Sequence, residues 1–367
     1  MDPEDLRADI PAVEETTYLN TGASGPSPRR VVEAATDALE RHEFESHARG
    51  NPYDFFFGEL DTIRERVATF VGANPTEMAL THSTADGISR IAAAIDWEPG
   101  DTAVYTDLEH PAGVLPWERA ADVFDLSVRV LETDAGRLDM DAVKEAVADA
   151  RVLCLSSLSW NYGTRLPVSE VVDVAHDAGT RVVIDAVQSP GQHPIDVHEW
   201  GADAVAAAGH KWLLGLWGSG FLHVSPAFAE ELEPRRLSYR GVSDSNAESY
   251  ERYPDARQLE IGTTSLAPHV ALTTAMDTID AIGYDTIQAR VERLTDRLKD
   301  GLGDRLLSPD AYESGLVTFT AENPDELVDR LGSEGIVVRS IPDPDAVRAS
   351  VHAFNTAEDI DRLLAAL

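Results

Sequence analysis

Short β-branched or apolar runs alternate along this chain with amphipathic stretches of helical length. In one unit, apolar residues recur at helical spacing over residues 53–72, and an apolar run of strand length follows at residues 78–80. In another, a helical stretch at residues 169–178 leads into the β-branched run 181–185. Repeated strand–helix units predict a mostly parallel sheet covered by helices on both faces. Ligands of such sheets bind beyond the carboxyl ends of the strands.

The alternation changes in the last third of the chain. Two long helical stretches, 268–282 and 284–302, precede a shorter α/β pattern that continues to the C-terminus. We expect a large domain over residues 16–254 and a small domain made of residues 1–15 together with 255–367. A chain of 367 residues is long enough to form both.

The net charge limits the partners. The chain has 65 acidic and 30 basic residues, a formal charge of −35. Self-repulsion of that size opposes a compact fold in dilute buffer, but molar salt shortens the screening length to about 3 Å. We therefore expect a halophilic protein of a salt-rich cytoplasm, with recruitment of a basic partner as the alternative. A basic patch for nucleic acid, a run of membrane-spanning length and a secretory signal are all lacking, so no nucleic-acid or membrane partner is predicted.

Lysine is rare and unevenly placed. Only Lys144, Lys211 and Lys299 occur, and Lys211 alone lies in an apolar setting, in the segment AGHKWL. We expect the other two to be solvated on polar helices. Burial disfavours the charged form of an amine, and a lowered pKa is what Schiff-base chemistry requires of a lysine. Lys211 is therefore the candidate for an imine with a carbonyl compound, with an incidental half-buried lysine as the alternative.

Three further positions fall near the predicted carboxyl ends of strands. Asp185 could hold a pyridinium nitrogen protonated, or could bind magnesium or a ribose. The Ser83–Thr84 turn begins a helix, so its backbone N–H groups could bind a phosphate, or Ser83 and Thr84 could be simple N-caps. His110 could stack on a flat ring or could be a loop histidine.

The only cysteine, Cys154, lies in an apolar run and is expected in the core. No disulfide within the chain is possible, and no metal site is predicted because cysteine-based metal spacing is absent.

Several segments occur together in a fixed order. They are residues 18–23 (YLNTGA), 109–110 (EH), 185–188 (DAVQ), 209–212 (GHKW), 262–263 (GT) and 348–350 (RAS) followed by 355–356 (NT). Together they resemble the class V aminotransferases, which include cysteine desulfurases, isopenicillin N epimerase-like proteins and kynureninases. The resemblance covers nearly the whole chain. It implies the fold type I of pyridoxal 5'-phosphate enzymes, with a mostly parallel seven-stranded sheet in a large domain, a smaller C-terminal α/β domain, and a homodimer with shared active sites.

The resemblance also implies cofactor roles for matching residues. Lys211 would hold pyridoxal phosphate as a Schiff base, Asp185 would pair with the pyridinium nitrogen, and His110 would stack on the ring. The other cofactor contacts would come from Ser83, Thr84, Ala85, Gln188, His210 and, in the neighbouring subunit, Thr263.

For the substrate, the resemblance implies that Arg348 clamps an α-carboxylate, a role suited to its two-pronged guanidinium. A surface ion pair is the alternative for this arginine. Gly22, Ala23, Trp160 and Asn161 would line the substrate site, and the sequence leaves open whether Trp160 or Asn161 takes the place of an asparagine found in some relatives.

From the family we expect an aminotransferase-type reaction on an amino acid, with a lyase or epimerase as the alternative. We do not expect a cysteine desulfurase, because no cysteine lies between Gly315 and Arg348. A non-catalytic pyridoxal-phosphate-binding regulator or scaffold is the alternative from another class. The presence of both Lys211 and Asp185 argues against it.

Overall fold

The structure, a computed structural model, describes residues 1–367 and contains twelve β-strands. They are β1 (Thr17–Tyr18), β2 (Met78–Thr81), β3 (Thr102–Thr106), β4 (Ser127–Leu131), β5 (Val152–Ser156), β6 (Arg181–Asp185), β7 (Ala204–Ala208), β8 (Gly220–Val224), β9 (Leu316–Phe319), β10 (Ile336–Val337), β11 (Arg339–Pro342) and β12 (Asp345–Ser350).

Fourteen α-helices surround the strands. They are α1 (Pro3–Ala8), α2 (Arg29–Glu40), α3 (His47–Arg49), α4 (Pro52–Val71), α5 (Thr84–Ala94), α6 (Pro111–Phe124), α7 (Met140–Val147), α8 (Val168–Asp177), α9 (Val197–Trp200), α10 (Pro226–Glu231), α11 (Leu266–Ile282), α12 (Tyr284–Leu302), α13 (Pro324–Ser333) and α14 (Ala357–Ala366). None of them combines the length and the apolar character that crossing a bilayer requires.

Seven strands form the central sheet, in the order β2-β8-β7-β6-β5-β3-β4. Only β8 runs against the others, because it pairs antiparallel with both β2 and β7. Strands β5 and β7 are buried along their whole length, as expected for strands covered by helices on both faces. The predicted, mostly parallel seven-stranded sheet is confirmed.

Local signals fix the helices that cover this sheet. Helix α4 begins after Asn51, whose side chain accepts a hydrogen bond from the backbone N–H of Tyr53. It ends at Gly72, which has a φ of 73°, a left-handed conformation that glycine adopts at little cost. The helix predicted over residues 53–72 is thus present and begins one residue earlier.

A second, antiparallel sheet in the order β11-β12-β9 lies in the C-terminal part of the chain. It has its own apolar core, which includes Leu298, Phe319 and Ile360. Residues 336–342 form two strands, because β10 pairs with β1 whereas β11 pairs with β12. The division of the chain at residue 254 stays a prediction.

Lys299 corrects an expectation. It was expected to be solvated, but it is only 7% exposed, and its ammonium group donates hydrogen bonds to the carbonyl oxygens of Asp310 (3.4 Å) and Ala311 (2.9 Å). Burial lowers its pKa. These two backbone carbonyl oxygens therefore take the place of water around the ammonium group.

The parallel strands bring distant residues to one edge of the central sheet, which we call the carboxyl edge. Ser83 follows β2, His110 follows β3, Asp185 ends β6 and Lys211 follows β7. Residues between 83 and 211 in the sequence therefore gather at one edge, as the strand pattern predicts.

Candidate active site

Lys211 lies in the loop after β7 and is half-buried. The segment before α2 packs tightly on this loop: Gly25 donates a backbone hydrogen bond to the carbonyl of His210 (2.8 Å), and a Cβ atom on Gly25 would lie 2.1 Å from the carbonyl oxygen of Lys211. Burial lowers the pKa of Lys211 to about 8, aided by the positive charges of Arg348 and Arg339 and opposed by Asp185. At neutral pH about a tenth of this amine is unprotonated and nucleophilic.

Asp185 lies at the end of β6 as a buried carboxylate. Its Oδ1 atom accepts a hydrogen bond from the backbone N–H of Val187 (2.9 Å), which leaves Oδ2 able to accept another. Burial raises its pKa, while the Val187 hydrogen bond and the charge of Lys211 lower it. The carboxylate is therefore placed to accept a proton from a ligand at the carboxyl edge.

Glu109 is a second buried carboxyl group behind Asp185. It accepts hydrogen bonds from Ser156 N (2.7 Å), Ser156 Oγ (2.8 Å) and Thr106 Oγ1 (2.8 Å). Burial, and then the negative charge of Asp185, raise the pKa of Glu109 to about 8. The negative charges of Glu109 and Asp185 thus disfavour one another.

His110 caps the start of α6 and faces the same region. Its Nδ1 atom accepts a hydrogen bond from the backbone N–H of Ala112 (3.2 Å), and its ring meets Trp160 edge to face, with 5.5 Å between the centroids. Burial lowers the pKa of His110 to about 4, and the charges of Lys211 and the two nearby arginines add to this. A neutral, flat imidazole is suited to stacking on an aromatic ligand.

The turn between β2 and α5 has the features of a phosphate site. Ser83 Oγ accepts a hydrogen bond from the backbone N–H of Asp86 (3.1 Å), so Ser83 is an N-cap, whereas the buried hydroxyl of Thr84 has no partner. Ala85 is exposed in the first turn of α5. His210 packs on Trp217 with 4.6 Å between ring centroids, and burial lowers its pKa to about 4. Free helical N–H groups and an unpartnered hydroxyl suit an anion.

Arg348 is the most unusual charged residue of the site. It is fully buried, and its only hydrogen bond goes from Nη1 to the carbonyl oxygen of Trp160 (2.6 Å), so Nε and Nη2 have no partner. No carboxylate forms an ion pair with it, so the alternative of a surface ion pair is wrong. Burial, and then the charge of Arg339, lower its pKa to about 9, which leaves it charged at neutral pH.

Gly22 keeps the space beside Arg348 open. A Cβ atom at this position would lie 3.1 Å from Nη2 of Arg348 and 3.0 Å from the Oγ atom of Ser350, another buried group without a partner. The neighbouring Ala23 is half-buried in the same turn. The unpartnered guanidinium atoms therefore border a space in which a small carboxylate could bind.

Arg339 is a second cation of the site that the sequence did not reveal. It pairs with Arg348 across the β11–β12 hairpin, and both guanidinium groups lie 5.8 Å from the ring centroid of Trp160. Arg339 forms no ion pair. A search for arginines at paired positions of a hairpin could have found it, had the pairing of β11 with β12 been visible in the sequence.

Trp160 and Asn161 have different environments. The indole N–H of Trp160 is buried without a partner, whereas the Asn161 side chain accepts from Ser159 Oγ (2.8 Å) and donates to the carbonyl of Asp343 (3.2 Å). Trp160 thus borders the arginines and His110, while Asn161 holds its own loop together.

Two other candidates are placed less directly. Gln188 donates to the carbonyl of Gly22 (3.1 Å) and accepts from the indole of Trp212 (2.7 Å), which leaves one amide hydrogen free. Thr263 is exposed, and the hydroxyl of the adjacent Thr264 lies 3.0 Å from His82 Nε2, next to the Ser83–Thr84 turn.

The open groups fit pyridoxal phosphate. An unpartnered hydroxyl lies at a helix start, a carboxylate oxygen is free to accept, an amine of lowered pKa lies near it, and a buried guanidinium lacks an anion. These are the groups needed by a phosphate, a pyridinium nitrogen, an aldehyde and a substrate carboxylate, respectively.

Comparison with known proteins identifies the family. Residues 17–363 match the family described as aminotransferase class-V. A probable cysteine desulfurase of Methanothermobacter thermautotrophicus is 31% identical over 99% of this chain and 96% of its own, and the isopenicillin N epimerase of Streptomyces clavuligerus is 31% identical over 95% and 93%. The solved structure of the cystine C–S lyase C-DES, in complex with its product cysteine persulfide, superimposes with a TM-score of 0.90 at 25% identity over 97% of this chain and 98% of that one.

These findings confirm the predicted family, fold type I and the cofactor pyridoxal 5'-phosphate. They contradict two functional expectations. The relatives are named as desulfurases, an epimerase and a lyase, so the predicted aminotransferase-type reaction is wrong. The expectation against a cysteine desulfurase is wrong as well. The alternative of a pyridoxal-phosphate-dependent lyase fits the names better.

Proposed function

The chain belongs to the class V aminotransferase family of pyridoxal-phosphate enzymes, and we propose that it is a lyase that cleaves the Cβ–S bond of a cysteine-derived amino acid. The observation that carries the proposal is the pair of arginines, Arg348 and Arg339, neither of which is neutralised by a carboxylate of the chain. Cystine has two carboxylates, and we assign the α-carboxylate to Arg348 and the distal one to Arg339. The cystine C–S lyase among the structural relatives supports this substrate class.

The cofactor, when bound, supplies an electron sink for the pair left at Cα. The chain supplies the proton transfers. The Lys211 amine, whose pKa burial lowers to about 8, is suited to removing the Cα proton near neutral pH. Asp185 holds a proton at the ring nitrogen, and Arg348 fixes the carboxylate so that the Cα–H bond faces Lys211.

The proposed reaction balances without an oxidant or a reductant. The Cα–H and Cβ–S bonds break, and the sulfur leaves with the bonding pair, as cysteine persulfide from cystine or as sulfide from cysteine. The resulting 2-aminoacrylate is hydrolysed by water to pyruvate and ammonium.

The sulfur needs no thiol of this chain in such a reaction. Cys154 is 0% exposed in β5, and burial raises the pKa of its thiol well above the usual value. It is therefore neither accessible nor nucleophilic. Sulfur leaves on the small molecule, as cysteine persulfide or as sulfide.

The roles of the remaining residues belong to the same proposal. Ser83, Thr84, Ala85 and His210 contact the phosphate, Gln188 contacts the ring oxygen, and Thr263 reaches the phosphate of a neighbouring subunit in a homodimer. The charge of −35 is proposed to adapt the surface to salt.

The test is product analysis with cystine and with cysteine. We expect pyruvate and ammonium in equal amounts from the wild-type holoenzyme. Lys211→Ala should lose this activity, while Lys144→Ala, which changes an exposed lysine of α7, should keep it. Transfer of the amino group to a keto acid, or inversion at Cα without pyruvate, would overturn the proposal.

A further inference from the structure

Three potential metal ligands meet at the edge of the sheet opposite Lys211. Glu77 ends the 3₁₀ turn Pro75–Glu77 before β2, His198 lies on α9, and His223 lies in β8 opposite Met78. One ligand atom from each lies within 4.8 Å of the other two. Because β2 runs from Met78 to Thr81, this cluster is at the amino end of β2 and the Ser83–Thr84 turn is at its carboxyl end.

His223 is the observation that points to a ligand. It is 2% exposed, and neither of its ring nitrogens has a hydrogen-bond partner. A buried imidazole without partners is unfavourable, because the ring N–H and the ring lone pair both lose water and gain nothing in return. A metal ion bound to one ring nitrogen would use that lone pair.

The other two side chains are aimed at the same point. The carboxylate of Glu77 is held by Asn74, whose backbone N–H (2.8 Å) and side-chain amide (3.1 Å) both donate to it. Its Oε2 atom lies 2.9 Å from His198 Nε2. His198 is more than half exposed and provides an entry path from solvent.

The nearby Asp203 is not available as a fourth ligand. Its carboxylate already accepts from Arg181 (2.9 Å), His176 (2.8 Å) and the backbone N–H of Val182 (2.8 Å). A bound cation would therefore keep an open position for water.

We propose that Glu77, His198 and His223 bind a divalent transition-metal ion, Zn²⁺ being the best match. Two imidazoles and one carboxylate are a ligand set that Zn²⁺ accepts, at about 2.0–2.2 Å from each ligand atom. Ligand atoms of such a site are separated by roughly 3.3–3.5 Å. On binding, the 2.9 Å between Glu77 Oε2 and His198 Nε2 therefore widens, while the wider separations of the cluster, at most 4.8 Å, narrow. The ion would join β2, β8 and α9 and so clamp the end of the sheet at which β2 is the outermost strand.

The test uses the holoenzyme, treated with a chelator and dialysed, and titrated with Zn²⁺ in a calorimeter, with bound zinc counted by mass spectrometry. We expect one Zn²⁺ per chain and a higher unfolding temperature with the metal. His198→Ala, which changes an exposed side chain, should weaken binding at least about 10-fold. His176→Ala is the matched control, because it changes a neighbouring histidine outside the cluster, and it should bind Zn²⁺ as the wild type does.

His223→Gln should also lose the metal, and since this residue is buried, His198→Ala carries the test if His223→Gln does not fold. The proposal is overturned if the wild type takes up no Zn²⁺ in excess, or if His198→Ala keeps the wild-type stoichiometry and affinity. In those cases Glu77 and His198 are only a hydrogen-bonded pair. Neither result depends on the lyase reaction, which takes place at the other edge of the sheet.

Discussion

Two groups of arginines in this chain differ in how their charge is balanced. Arg64 and Arg240 both contact the buried carboxylate of Glu260; Arg64 Nη2 lies 3.1 Å from each of its oxygens, and Arg240 donates to Oε2. Glu260 also accepts from the backbone N–H of Leu80 (2.8 Å). Arg348 and Arg339, in contrast, share the carboxyl edge with no carboxylate bound to either.

The difference distinguishes arginines whose charge is balanced within the fold from arginines whose charge is available to a ligand. A buried cation is costly without an anion, and a chain with 65 acidic residues has many that could have been placed beside Arg348. The chain neutralises the first group internally. We propose that the second group is left for an anion that comes and goes, as a substrate carboxylate does.

The largest effect is expected from Glu260→Gln. It leaves Arg64 and Arg240 buried without their common anion, so the free energy of unfolding should fall by about 3–5 kcal/mol in a urea titration. Asp61→Asn is the control, because Asp61 contacts Arg64 at 2.5 Å but is 70% exposed, and it should cost less than about 1 kcal/mol. Equal losses in the two variants would contradict the structural assignment of the first group.

Arg348→Gln should act in the opposite way, on catalysis more than on stability. We expect kcat/KM for cystine to fall at least about 100-fold, because a buried charged hydrogen bond to the substrate is lost. The loss of unfolding free energy should be smaller than in Glu260→Gln, since no buried charge is left unpaired. Steady-state kinetics and urea titration of the same sample decide this, and an unchanged kcat/KM with a large stability loss would refute the assignment.

Arg339→Gln sharpens the comparison within the second group. If Arg339 binds the distal carboxylate, KM for cystine should rise about 10-fold, the size expected for a hydrogen bond to a charged group. KM for cysteine, which has no second carboxylate, should stay within about 2-fold of the wild type by the same reasoning. If KM rose equally for cystine and for cysteine, the assignment of the distal carboxylate of cystine to Arg339 would be wrong.

The pH dependence of cofactor capture tests the combined effect of burial and unpaired positive charge on Lys211. The unprotonated amine is the nucleophile, and its fraction increases as the pH rises through the pKa of about 8. The rate at which the apoenzyme gains Schiff-base absorbance should therefore increase about 5-fold between pH 7 and pH 8. A midpoint near the ordinary lysine pKa of 10.5 would show that Lys211 is not desolvated.

The sequence is sufficient for the sheet and for the residues carried by recognisable segments. Asp185 and Lys211 follow directly from strands whose β-branched or apolar runs are visible, so their meeting at one edge could be predicted. The roles of Glu109 and Arg339 could not, because they depend on the pairing of β3 with β5 and of β11 with β12, and a strand's partners are not visible in its own residues.

The reaction was mispredicted for a physical reason as well. In the roles proposed for them, Lys211, Asp185 and Arg348 would activate the Cα–H bond of any bound amino acid, and the outcome would then depend on the leaving group at Cβ and on where the proton returns. Neither of these is a property of those three residues. The unpaired Arg339 narrows the choice of substrate, and it became informative only in three dimensions.

Borohydride reduction of the holoenzyme, followed by peptide mass spectrometry, tests most directly whether the open charges of the carboxyl edge form the cofactor site. The chain has only three lysines. The phosphopyridoxyl group should be found on the peptide that contains Lys211 and on no other. A label on Lys144 or Lys299, or none at all in protein loaded with the cofactor, would contradict the account.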